Sequence, residues 1–514
     1  MNRFRIVLFF LCLTSILNVR AQSNRFVSGR IVTGDNQLPV PFATVKLKSN
    51  YFGVVSNASG DFQFPIVFKS RADTIVVSCI GYASKSVSLT TFKENELNVV
   101  TLTEVAEDLK AVEIQATRSG RLTGYKIVAA AIRNIPNNYP EHPFCYDAYY
   151  RDYQLNEKKE YINLNEAIVE VMDSGFQTSD RLKTKIKLFE YKRNDEFPRD
   201  TAAEVAYDNQ ESKFIPNATL KSFGGNELSI LRVHDAIRNN GNPSFSFIYT
   251  FREDFLKNHL FSIGGQTLVD NVPLYVVKFQ SKPSVTGSKH YAKGKIFIEK
   301  GNYAIHKIEY STYEKATFDS KLLYDIQLEY SRINAKMYLN YISFNNLFKI
   351  PNPLDFRVEE VTIDRSINAF VVTVNHLPDL PSAMNVKNYE FAYNDVRLNF
   401  SEASIDTLER KRIILTLGEN RGFNIMEHPS KLVPKLNLHY VNIRDLQNKL
   451  LNEITYVTVN QFRELFVQNR KMDVCKPDDS VFIKSDKPLS QNVIPPPKNL
   501  NTGYWMNTPL KTKQ

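Results

Sequence analysis

Short β-patterned runs broken by turn residues fill the stretch from Phe26 to Leu102, at a spacing that suits little except a small sandwich of strands. Phe26–Val32 is rich in strand formers and is followed by Gly34, Asp35 and Asn36, which punctuate it. Ala43, Val45 and Leu47 alternate with Thr44, Lys46 and Lys48, the period of a half-buried strand. Asn57 to Asp61 supplies a tight turn before Phe62 and Phe64. Thr74–Ile80 is a near-continuous apolar run that fits a strand covered on both sides, and Gly81 ends it. An antiparallel β-sandwich is therefore expected over residues 25–104.

These residues resemble the carboxypeptidase-regulatory-like domain, a transthyretin-like sandwich common in exported proteins of Bacteroidetes type. The likeness is carried by Ser28-Gly29-Arg30-Ile31, Leu38-Pro39, Ala43-Thr44-Val45, Gly53-Val54, Ser59-Gly60-Asp61-Phe62 and Ile80-Gly81-Tyr82. Val99–Leu102 and Leu109–Ile114 match its tail. The resemblance implies an accessory domain and no peptidase activity. Such domains often precede the plug of TonB-dependent receptors. Here the continuation, Lys126–Ile135, reads as a short amphipathic helix instead.

Ahead of this domain, residues 1–21 have the parts of a signal peptide. Arg3 and Arg5 form a basic start, Ile6–Leu17 an apolar core, and Val19-Arg20-Ala21 a cleavage site. The apolar run is too short to favour a spanning helix. Cys12 follows Phe9, Phe10 and Leu11 and lacks the small residues that lipidation wants. The chain is expected to be exported, to the periplasm or to the outer-membrane surface. Loss of Arg3, Arg5 and Arg20 takes the net charge from +10 to +7. The lysines and arginines are scattered, so nucleic-acid binding is not expected. Three cysteines remain, Cys79, Cys145 and Cys475; an odd, widely spaced set reads as no disulfide framework and no metal site.

Residues 105–135 read as a linker and short helix. The segment 136–400 reads as an antiparallel meander with short helices, Leu228–Arg238 among them. Its clearest strand is Leu322–Tyr330, where Leu322, Tyr324, Ile326, Leu328 and Tyr330 face one way and Asp325, Gln327 and Glu329 the other. Such a sheet is expected to have one apolar and one wet face. The double hairpin of Thr267–Phe279 and Gly294–Ser311 resembles the curved half-barrel of lipoprotein-carrier proteins, which implies a concave sheet able to take an acyl chain, peptide or glycan. The same aromatics also suit an ordinary core beneath a covering helix. Residues 401–475 read as a mixed α/β extension, with helices at Asn442–Leu451 and Asn460–Val467. The Pro-rich tail 476–514 reads as extended, with Trp505 as its anchor. The expected fold class is thus mainly β with some α: a sandwich followed by a curved meander.

Catalytic patterns are absent. His306-Lys307-Ile308-Glu309 has the spacing of a zinc-peptidase pair, but on a strand those positions point to opposite faces and cannot share an ion. There is no nucleophile elbow and no phosphate loop. No catalytic, cofactor-binding or metal residue is assigned, and no cofactor is expected. The leading reading is a non-catalytic exported envelope protein that binds or scaffolds an unknown protein, glycan or lipid, with peripheral outer-membrane association open to it. A periplasmic lipid or lipoprotein-type carrier is the alternative. A β-barrel-associated protein or an unrecognised hydrolase comes after it.

Overall fold

The computed structural model describes residues 26–49, 52–105, 122–156, 158–204, 213–214, 225–242, 244, 250–252, 254–315, 320–426, 428, 432–471, 481–494 and 504–511. The expected leader, Cys475 and the triple proline at 495–497 lie outside them. The chain divides into two units, residues 1–348 with 459–514, and residues 349–458.

The sandwich opens the first unit. Its strands are β1 (Phe26–Thr33), β2 (Thr44–Leu47), β3 (Gly53–Val55), β4 (Asp61–Pro65), β5 (Thr74–Ser78), β6 (Lys85–Ser88) and β7 (Leu97–Leu102). One sheet runs β4-β1-β7, the other β3-β2-β5-β6. Six of the strands pair antiparallel, but β1 and β7 run parallel, Ser28 opposite Leu97 through Thr33 opposite Leu102. The alternation seen in the sequence fills the interior with Val27, Ile31, Val45, Phe62, Phe64, Ile75 and Val77. Gly60 sits at φ 75°, and a Cβ there would lie 2.4 Å from the Ile31 carbonyl oxygen, so the Asn57–Asp61 turn requires glycine.

A ten-stranded open sheet makes up the rest of the unit. It contains β8 (Phe144–Leu155), β9 (Tyr161–Asp173), β10 (Lys185–Arg193), β11 (His259–Val269), β12 (Val272–Ser281), β13 (His290–Glu299), β14 (Ile305–Glu314), β15 (Lys321–Ile333) and β16 (Lys336–Pro351). The chain then leaves the sheet for β17 (Val358–Asp364), β18 (Ala369–Val374), β19 (Tyr389–Tyr393), β20 (Val396–Arg397), β21 (Phe400–Ile405), β22 (Arg412–Leu417) and β23 (Leu436–Tyr440). It returns as β24 (Tyr456–Lys471), which is inserted between β8 and β16. The order across the sheet is β10-β9-β8-β24-β16-β15-β14-β13-β12-β11.

The inner face is covered by helices. Helix α1 (Gly124–Arg133) starts where Thr123 accepts a hydrogen bond from the Lys126 N–H at 3.3 Å. Its Ile127, Val128 and Ala131 pack on Tyr310, Tyr324, Ile326, Leu328 and Tyr330 of the sheet, with Leu228, Ile230 and Leu231 of helix α2 (Glu227–Arg232) beside them. The concave face is thus filled by its own side chains. A residual cavity of about 20 Å³ beside Tyr146 and Tyr330 is about one water in size.

The outer face is not the wet one expected from Leu322–Tyr330. The sandwich lies on it. Thr44 Oγ1 donates to Glu329 Oε1 at 3.3 Å, and Asn340 Nδ2 donates to both, at 2.7 and 3.0 Å. Lys46 Nζ reaches Ser331 Oγ at 3.2 Å, and Phe42 stacks on Tyr341 with ring centres 5.0 Å apart. The polar half of the alternation is therefore matched to a partner surface instead of to water, as buried polar groups must be.

The other departures share one cause. Asn460–Val467, expected as a helix, is the middle of β24. Its apolar residues have helical spacing, but its polar ones find partners only across strands: Arg151 Nε donates to Glu464 Oε2 at 2.5 Å, and Arg463 Nη1 to Asn346 Oδ1 at 2.8 Å. Asn442–Leu451 is a turn held by Asp445, whose Oδ1 accepts from the Gln447 and Lys449 N–H groups at 2.9 Å each. Helix α2 stops at Arg232, short of the expected Arg238. The boundary expected at residue 400 falls where β21 begins, inside the second unit. That unit has sheets β17-β18-β22-β21 and β20-β19-β23 around Phe370, Val372, Phe391, Ile413 and Leu415. Cys145 is disulfide-bonded, against expectation, with its partner outside the described residues, whereas Cys79 is a free thiol.

Candidate functional site

Where β8, β9, β10 and β24 lie side by side, the inner face turns from apolar to polar. Tyr146, Ala148 and Tyr150 of β8 belong to the core, while Asp152 and Gln154 continue the same alternation. Register brings Asn165 opposite Asp152, and Gln461 opposite Gln154. The result is a cleft of about 410 Å³ lined by these residues together with Asn163, Tyr191, Lys213 and Glu227. Arg193 and Glu204 stand at its rim, joined through two hydrogen bonds of 2.8 and 2.9 Å.

The lining is braced from within. Gln154 Nε2 donates to Gln461 Oε1 at 3.0 Å, and Asn163 Nδ2 donates to Gln154 Oε1 at 3.0 Å. Asn165 Nδ2 donates to Asp152 Oδ1 at 3.0 Å, and Lys213 Nζ to Gln461 Oε1 at 3.2 Å. Glu227 Oε2 accepts from the Leu489 N–H at 2.8 Å, which ties the late segment around Pro488 to the cleft. Such a network orients each amide before any ligand arrives.

Its charges are strongly desolvated. Burial, with the nearby Asp152 charge, pushes the Glu227 carboxyl up to about 7. Burial, with the Arg463 charge, pulls the Lys213 ammonium down to about 7. Asp152 is raised by burial as well, against the pull of Arg463. Titratable groups perturbed in this way within a cleft mark the place where a fold departs from pure structure. Among the described residues the remaining lining consists of amides, the hydroxyls of Tyr191 and Ser490, and Pro488. These are hydrogen-bonding groups suited to hold a polar ligand.

No site residue was assigned from the sequence, and this cleft shows why. Asp152, Gln154, Asn163 and Asn165 look like the solvated side of two strands. The available signal was that aromatics flank them at both parities (Tyr149, Tyr150 and Tyr153), leaving no free face for water. The His306–Glu309 pair is split as expected: His306 Nε2 meets Glu299 Oε2 at 2.9 Å, and Glu309 pairs with Lys307 at 2.9 Å. Among the described residues no cluster of His, Cys, Asp and Glu could hold a metal ion.

No curated protein matches the chain. Among solved structures, a DUF1329 family protein from Desulfovibrio piger ATCC 29098 is similar at 8% identity and a TM-score of 0.19, over 43% of this chain and 85% of its own. Residues 27–114 match the family model described as the CarboxypepD_reg-like domain, a non-catalytic regulatory type, and β1–β7 are the strands of that matched segment.

Proposed function

We propose that this chain is a non-catalytic, exported protein of the cell envelope that binds a polar ligand or partner in the Asp152–Gln461 cleft. Its CarboxypepD_reg-like sandwich acts as a fixed cover on the outer face of the sheet. The observation that carries this reading is the cleft itself: about 410 Å³ lined by braced amides and carboxylates. Export is supported by the leader-like residues 1–21 and by the disulfide at Cys145, because such bonds persist in oxidising compartments. The filled concave face favours binding or scaffolding over carriage of an acyl chain inside the sheet.

The test is saturable binding of the leader-free chain to arrays of glycans and peptides, compared with Asn165→Ala and Gln461→Ala. Binding should be lost in both variants while their melting remains cooperative. Turnover of a peptide or glycan substrate, abolished by a single substitution in the cleft, would overturn the reading.

A further inference from the structure

Beyond the sandwich, the outer face of the sheet continues over β11 to β14. There β11 to β14 form a second groove, of about 590 Å³, which carries Lys278, Lys293 and Lys295. Lys278 stands directly opposite Lys295 in the β12–β13 register, and Lys293 is two residues along on the same face. Like charges directly opposite each other destabilise a sheet. Among the described residues none of the three makes an ion pair, although Lys293 lies over the rings of Tyr313 and Tyr291, at 5.0 and 6.0 Å, and Lys295 faces Glu309 across the strands. The nearest acid in the groove, Glu309, is already paired with Lys307 at 2.9 Å. Gly264 makes room for the arrangement, since a Cβ there would lie 2.8 Å from Lys278 Cε.

The array is small and bounded. Towards β15 the cationic face ends at Glu309, opposite Lys295 and paired with Lys307, and at Asp325, opposite Ser311. Along the strands it stops where Ile80 of the sandwich packs on Leu274, Val276 and Phe297. At the β11 edge the lining on this face is Leu260, 58% exposed, whereas Phe261, next along the strand, points to the inner face and packs on the core there. A long polyanion laid across the sheet would meet acids at once. A compact anion attached to an apolar body would not.

We infer that this groove docks the phosphate-bearing head group of an acidic lipid, held by Lys278, Lys293 and Lys295, with the apolar part leaving over Leu260. Lysines near an anionic membrane surface each contribute modestly, and salt screens them. The inference does not rest on the cleft, so the two can fail separately.

The experiment is flotation of the leader-free chain with phosphatidylcholine vesicles, with and without phosphatidylglycerol. Flotation should require phosphatidylglycerol, fall with salt, and weaken about fivefold for each lysine reversed in Lys293→Glu and in the Lys278→Glu, Lys295→Glu double variant. Leu260→Ser should weaken flotation while leaving its salt dependence in place. Asn165→Ala should float like the parent. The inference is overturned by equal flotation on phosphatidylcholine alone, by charge-reversed chains that float unchanged, or by binding to polygalacturonate without flotation. These lysines are at the surface, so unchanged melting of the variants separates loss of docking from loss of fold.

Discussion

Gln468 and Trp505 clasp each other through one amide: Gln468 Oε1 accepts the Trp505 N–H at 3.0 Å, and Gln468 Nε2 donates to the Trp505 carbonyl at 2.6 Å. The indole then enters the sandwich core between Phe64 and Phe68, at 5.1 and 5.9 Å, and donates to the Gln63 carbonyl at 2.9 Å. Thr508 continues the strap to Glu166 on the sheet at 2.8 Å. A few residues near the C-terminus thus belong to the core of the N-terminal domain.

Trp505→Ala should therefore destabilise the first unit by about 3–5 kcal/mol, as expected for deleting a buried aromatic. Urea unfolding followed by circular dichroism reads this directly. Trp505 is the one tryptophan in the chain, so the fluorescence change of the parent protein should coincide with loss of the sandwich. A fluorescence transition well below the circular-dichroism midpoint would show that the strap is not part of the core.

The seam between sandwich and sheet runs through Asn340, whose amide serves Thr44 and Glu329 together. Asn340→Ala leaves the buried Glu329 carboxylate short of a donor and should cost about 1–3 kcal/mol. Limited proteolysis reads the consequence as faster cutting around residue 105. Parent-like cutting would mean that the seam is held without Asn340, by the Phe42–Tyr341 stack and the Lys46–Ser331 contact.

Glu227 gives the cleft a pH signature. Its carboxyl titrates at about 7 when folded and near 4.5 when unfolded. Between these values the native state holds the proton that the unfolded chain has released. Its contribution to stability is therefore present at low pH and lost as pH rises through 7. Glu227→Gln keeps an acceptor for the Leu489 N–H and removes the titration. Relative to the parent, its stability should climb between pH 4.5 and 7 by about 1.4 kcal/mol per unit. A flat difference across that window, from denaturant melts at matched pH, would refute the assignment.

The two described cysteines should behave in opposite ways. Cys145 is disulfide-bonded and should resist alkylation until a reductant is added, even after unfolding. Cys79 is free, but burial pushes its thiol up to about 12, so it should alkylate slowly when folded and readily once unfolded. Mass spectrometry of tryptic peptides distinguishes the four conditions. Ready labelling of Cys145 in the unreduced protein would contradict the structure.

Much of this architecture was legible residue by residue. The sandwich followed from turn residues at Gly34–Asn36 and Asn57–Asp61 and from period-2 runs between them, all local signals. Leu322–Tyr330 was readable as a strand for the same reason. The helix expected at Asn460–Val467 failed because Phe462, Leu465 and Phe466 imitate helical spacing. What makes that segment a central strand is Arg151, some 313 positions away from Glu464. The cleft stayed hidden because Asp152, Gln154, Asn163 and Asn165 have the composition of a wet surface.

Alternation along the chain settled which side chains share a face, and turn chemistry settled where strands end. Neither could say what would lie on each face. That was decided in three dimensions, by the sandwich meeting Glu329 and Asn340, by α1 meeting Tyr324 and Tyr330, and by Gln461 arriving beside Gln154. The reason is that desolvation belongs to a pair of surfaces: a carboxylate is solvated, matched or perturbed only by what comes to rest against it.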